Sequence, residues 1–132
     1  MTEYYELALA FSRECLKLEE PTISGGGNVI AWRHRGEWET FRHRDLNTIM
    51  RLVRVWCETL LPNFYCLSTA YYKPDPADDT WIVEIQTRRD TFRACNPNLC
   101  HALLDACLQA QRRLDRAQAS SPFPSGGSTS IQ

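Results

Sequence analysis

The sequence has no surplus of charge: 15 Lys and Arg stand against 16 Asp and Glu, a formal net charge of −1. That balance excludes a global field drawing the chain to nucleic acid or to an anionic membrane, so any electrostatic function has to be local. Long apolar runs are missing as well. Arginines interrupt the longest helical segments, and nothing approaches the roughly 18 apolar residues needed to span a bilayer. The opening Met1-Thr2-Glu3-Tyr4-Tyr5-Glu6 places acids where a secretory signal needs Lys or Arg before an apolar run. A soluble, cytoplasmic protein with no membrane partner is the expectation. Catalytic signatures are scarce too. There is no G-x-S-x-G elbow, and Gly25-Gly26-Gly27 precedes a strand without the Lys-Ser/Thr or helix start of a phosphate loop. No cofactor is implied.

What is present suits one globular domain. The chain has 132 residues, 43% hydrophobic and 23% charged, enough to bury a core and too few for two domains. Residues 1–118 are expected to form a single α+β domain. Residues 119–132 are small, polar and rich in Ser, Pro and Gly, with too little apolar surface to offset ordering entropy, and read as a disordered tail. The six cysteines, Cys15, Cys57, Cys66, Cys95, Cys100 and Cys107, are expected to stay reduced in the cytosol and to behave as small hydrophobes.

Periodicity supplies the elements. Tyr4, Leu7, Ala8, Phe11, Cys15 and Leu18 recur at helical spacing, predicting a helix over 3–19 that Pro21 ends. Ser24 to Asn28 reads as a connector. Val29 to Trp32 and Trp38 to Phe41 flank Arg35-Gly36, predicting a hairpin. Asp45 precedes the stripe Leu46, Ile49, Met50, Val53, Trp56, Cys57, Leu60, so it is the expected N-cap of a second helix. Phe64–Tyr72 and Thr80–Thr87 predict a second hairpin across the loop Lys73–Asp79. Asn96-Pro97 predicts a cap and first position for a third helix reaching about Ala117. The expected fold is α+β in the order helix-hairpin-helix-hairpin-helix, with one four-stranded antiparallel sheet packed by three helices.

Within residues 45–114, Val53-Arg54-Val55-Trp56-Cys57-Glu58, the strand pair with Trp81 opening its second member, and Leu99-Cys100-His101-Ala102-Leu103-Leu104-Asp105-Ala106-Cys107-Leu108 resemble the small phage ABA-sandwich domain family. The resemblance implies a phage or prophage origin and α/β/α layering, and it implies no catalytic set.

Cys95, Cys100, His101 and Cys107 invite a zinc reading, but only Cys95-x₄-Cys100 approaches a ligand knuckle. Cys100 and Cys107 fall on the apolar stripe of the third helix, where packing would put them. No metal site and no catalytic residue are therefore assigned. The Asp75, Asp78 and Asp79 loop reads as a solvated turn. What remains is basic and aromatic: Arg33 and Arg35 at one end of the first hairpin, Arg42 and Arg44 at the other, Arg51 and Arg54 on the next helix, with Trp32 and Trp38 nearby. Guanidinium forks suit phosphates and indoles stack on bases. Pairing the two strands is expected to bring the arginine pairs into one basic rim. The leading expectation is a non-enzymatic binding protein of phage origin acting on a host or phage protein, for counter-defence or modulation of a host process. Nucleic-acid or nucleotide-signal binding by hairpin 32–44 is the alternative, and a metal- or cysteine-dependent enzyme ranks last. A homodimer through a sheet edge or an exposed helix is compatible with the pattern.

Overall fold

The structure is a computed structural model that describes residues 2–75 and 78–119. Helix α1 (Thr2–Ala10) widens into a π turn (Phe11–Cys15), followed by β1 (Glu19–Ser24), a 3₁₀ turn (Gly25–Gly27), β2 (Val29–His34), β3 (Glu37–Arg42), α2 (Leu46–Leu60), β4 (Phe64–Asp75), β5 (Asp78–Thr87), β6 (Thr91–Asn96) and α3 (Leu99–Ala119).

The single four-stranded sheet is wrong. The described strands form two separate three-stranded antiparallel sheets, ordered β1-β2-β3 and β4-β5-β6. Each hairpin has gained a third strand from a segment read as connection. Pro21 does not end the first helix but lies inside β1, an edge strand, where a missing N–H leaves no ladder bond unmade. The helix ends earlier, with the Leu16 amide donating to the Phe11 carbonyl at 3.1 Å and Leu18 to Ser12 at 3.0 Å. Lys17 then turns the chain at φ 57°. At the other boundary, Thr91-Phe92-Arg93-Ala94-Cys95-Asn96 pairs with β5. The cap of α3 is Asn98 rather than Asn96: its side-chain oxygen accepts from the His101 amide at 3.1 Å, while Asn96 accepts from the Asn98 amide at 2.8 Å.

Asp45 does cap α2, accepting from the Thr48 amide at 3.0 Å. That helix buries Ile49, Val53, Trp56 and Cys57, and α3 buries Leu103, Leu104, Cys107 and Leu108 beside it. Both pack on the inner face of the second sheet, where Val83, Ile85 and Ala94 are buried. Helix α1 packs on α3 and β1 instead. The outer face of the second sheet stays open, with Ser68, Ala70, Tyr72, Thr91, Arg93 and Cys95 exposed. The α/β/α layering therefore fails, because helices cover one face only. The first sheet joins the core through Ile30, with Ile23, Trp32 and Phe41 packed against it.

No described helix is long and apolar enough to cross a membrane. The tail expectation for 119–132 falls outside the described residues, apart from Ala119 at the end of α3.

Candidate functional site

The turn between β3 and α2 gathers the polar groups of the first hairpin. The Asp45 amide donates to the Arg42 carbonyl at 3.3 Å, closing a tight turn whose central residues are His43 and Arg44. Their environments are opposite: His43 is fully buried and Arg44 is exposed. The guanidinium carbon of Arg44 lies 4.9 Å from the ring centre of Tyr4 and 5.2 Å from that of Tyr5. Two aromatic faces thus hold the cation by its charge and by its flat shape. Tyr4 is itself fixed, its hydroxyl donating to the His43 carbonyl in a setting whose burial raises the phenol pKa.

His43 locks the same turn to the glycine segment. Its Nε2 lies 2.6 Å from the Gly27 carbonyl oxygen, which accepts only if Nε2 carries the proton. Nδ1 is then a bare acceptor, and it has no partner among the described residues. Burial lowers the His43 pKa, the bond to Gly27 opposes that effect, and the Arg44 charge adds to it.

Above this layer lies an open groove of about 600 Å³ lined by Gly25, Asn28, Val29, Arg42, Arg44 and Asp45. Two arginines and one carboxylate are among its lining residues. The carboxylate is engaged, since Asp45 Oδ2 accepts from both the amide and the hydroxyl of Thr48, at 3.0 and 2.6 Å.

The other arginines lie elsewhere. Residues 35 and 36 form the hairpin turn, with φ of 54° and 84°, and both central residues of a type I′ turn need positive φ. Register then sets Arg33 opposite Trp38 and Arg42 opposite Val29. Arg33 and Arg42 share the outer face but stand four rungs apart, about 13 Å at ordinary strand rise. The hairpin keeps its two arginine pairs at opposite ends and forms no continuous rim. Arg33 sits 5.6 Å from the ring centre of Trp38, which is 57% exposed. Trp32 points the other way, half-buried against Phe41 at 5.7 Å. Arg51 and Arg54 are exposed along α2 and do not line the groove.

The cysteines divide between core and surface. Cys15, Cys57, Cys100 and Cys107 are buried, Cys66 is half-buried and Cys95 is exposed on β6. Burial pushes the Cys15 thiol up to about 12 and raises Cys100 and Cys107 too. A buried thiol kept protonated is a poor nucleophile and a poor metal ligand. Among the described residues no three His, Cys, Asp or Glu side chains converge on a metal-sized space.

Two features escaped the sequence reading. Tyr4 and Tyr5, as the platform under Arg44, carry no signal beyond helical periodicity. A smaller cleft of about 200 Å³, lined by Leu61, Asn63, Arg89, Phe92, Arg113 and Leu114 among others, is assembled from three distant segments. Family models, curated proteins and solved structures were all compared with the chain, and none matches it.

Proposed function

We propose that this is a non-enzymatic binding protein that takes a small phosphate-bearing ligand in the groove at the base of the first hairpin. One observation carries the reading: Arg42 and Arg44 line the same groove, and Arg44 is already held over Tyr4 and Tyr5. A guanidinium fixed before binding loses less rotamer freedom on capture, and its fork matches two phosphate oxygens. Asn28 adds an amide to the same wall.

Geometry also favours a small ligand over a nucleic-acid strand. The arginines at the far end of the hairpin are about 13 Å away, and Asp45 would repel a second phosphate passing through. An exposed Trp38 with Arg33 against it supports the nucleic-acid alternative, since that pair offers a stacking surface. A phage or prophage origin and action on a host protein rest on the resemblance of residues 45–114 alone.

Calorimetric titration and thermal shift with inorganic phosphate, pyrophosphate and a mononucleotide and dinucleotide panel test the proposal. Binding to one of these that Arg42→Ala abolishes, with Arg33→Ala unaffected, supports it. No heat and no stabilisation across the panel sinks it. Affinity for oligonucleotides that falls steeply with salt and depends on Arg33 and Trp38 transfers the function to the hairpin tip.

A further inference from the structure

Among the described residues four strand edges are free in the two sheets, and three are guarded. Edge β1 carries Pro21 and the acids Glu19 and Glu20; β3 carries Glu37, Glu39 and Arg42. On β6, Gln109 of α3 donates to the Arg93 carbonyl at 2.9 Å. These are the usual devices against edge-to-edge pairing. Edge β4 lacks them over most of its length. From Phe64 to Tyr72 it contains no charged residue and no proline, and Ser68, Thr69, Ala70, Tyr71 and Tyr72 are all exposed. Three of the seven exposed large hydrophobic side chains among the described residues sit on this strand: Tyr65 at 73%, Tyr72 at 56% and Tyr71 at 48%.

We infer that β4 is a homodimerisation edge, pairing antiparallel with β4 of a second copy about a two-fold axis through Thr69 and making one six-stranded sheet. A second copy fits because the two-fold operation matches the strand to itself. Register about Thr69 sets Cys66 opposite Tyr72 on the outer face and Leu67 opposite Tyr71 on the inner face, where Tyr71 is held on its own sheet by Trp81 at 5.1 Å and by its bond to Asp79; at both rungs a large residue meets a smaller one. Ser68 falls opposite Ala70, and the two Thr69 residues meet on the axis, a favourable cross-strand pair. No like charges face each other within the paired stretch. The strand's two register irregularities, between Phe64 and Cys66 and between Tyr72 and Asp75, bound the stretch and define its length. Covering the exposed parts of Tyr71, Tyr72 and the backbone from Cys66 to Tyr72 in two copies removes several hundred Å² from water, roughly the scale of a weak, concentration-dependent dimer.

Sedimentation of the full chain over a range of concentrations tests this. The expected result is a monomer–dimer equilibrium that Thr69→Lys weakens on the order of 100-fold, because it sets two like charges against each other on the axis. Thr69 is exposed in the monomer, so an unchanged circular dichroism spectrum and melting temperature separate lost pairing from lost folding. Register is tested with a double lysine variant, Ser68→Lys with Ala70→Lys, and a double glutamate variant, Ser68→Glu with Ala70→Glu. Each alone should be monomeric, and an equimolar mixture should regain the dimer. A chain that stays monomeric at every concentration, or a dimer indifferent to Thr69→Lys, overturns the inference, as does a mixture that remains monomeric. Phosphate binding at Arg42 is untouched by these variants, so the two proposals fail separately.

Discussion

The imidazole of His43 and the carbonyl of Gly27 meet at 2.6 Å, sixteen residues apart, and this bond fastens the turn that carries Arg44 to the turn that begins β2. The ring around it is tightly occupied, with the Tyr4 centroid at 5.5 Å and the Tyr5 centroid at 5.7 Å.

Burial lowers the His43 pKa below its ordinary 6.5, which gives a sign for its pH dependence. The unfolded chain takes up a proton near 6.5 that the folded ring refuses, so this contribution is fully present above that value and is lost as pH falls below it. Tyr4 and Tyr5 pack on the ring, and the charge that acts on it is that of Arg44. Urea midpoints of the wild type and His43→Gln, measured at about pH 7.5 and about pH 5.5, should lie further apart at the higher pH. An equal gap at both would show that the ring does not titrate differently on folding.

Glycine at 27 is required twice. Its φ is +91°, and a Cβ there would stand 2.8 Å from the Tyr5 hydroxyl oxygen. Gly27→Ala should cost about 1–3 kcal/mol and, by displacing Tyr5 from beneath Arg44, weaken phosphate binding. Gly26→Ala provides the contrast: φ is +70° but nothing lies within 4 Å, so only the backbone penalty of about 1 kcal/mol applies. Thermal melts paired with phosphate titrations of the two variants separate strain from site geometry.

Asp45→Ala should act in opposite directions on stability and binding. It removes the cap that accepts from the Thr48 amide, lowering the melting temperature, and it removes the one carboxylate from the groove, tightening phosphate affinity. Thermal melts and phosphate titrations of the same sample check both signs.

Thiol labelling should resolve the cysteines by depth. With an aromatic disulfide reagent under native conditions, Cys95 reacts first and Cys66 more slowly, following their exposure. Cys15, Cys57 and Cys107 are buried and should stay silent until the chain unfolds. Mass spectrometry of labelled peptides assigns each site, and early labelling of Cys107 would mean that the interface between α2 and α3 opens.

How much of this was written in the sequence varies by element. Helix α2 was legible because cap, stripe and stop agree: Asp45, then Ile49, Val53, Trp56 and Cys57, then Pro62. Strand β1 was not, since only Pro21 and Ile23 among its six residues are even half-buried, and Glu-Glu-Pro reads as a breaker when its edge position is unknown. Strand β6 does alternate, with Phe92 half-buried and Ala94 buried, but Asn96-Pro97 drew attention to a helix start. The separation of the two arginine pairs is legible in the sequence as well. A two-residue turn at Arg35-Gly36 sets 34 opposite 37, and counting back from it sets 29 opposite 42, which already separates Arg33 from Arg42. The tyrosine platform could not be found this way, because Tyr4 and His43 are brought together only by tertiary packing.

Among the described residues the two sheets share no ladder of backbone hydrogen bonds, and this shapes how the molecule comes apart. Communication between them runs through side chains of α1, the π turn, α2 and α3, among them the bidentate grip of Arg112 on Glu14 at 2.9 Å in each arm. The second sheet has two helices across its inner face, whereas the first buries little beyond Ile30 and Ala31. Amide exchange should therefore separate into two tiers, the β1–β3 amides opening through a local fluctuation and those of β5 and α3 only with the whole chain. The groove at Arg42 and Arg44 sits on the looser tier, so ligand capture would register as slowed exchange in β2 and β3.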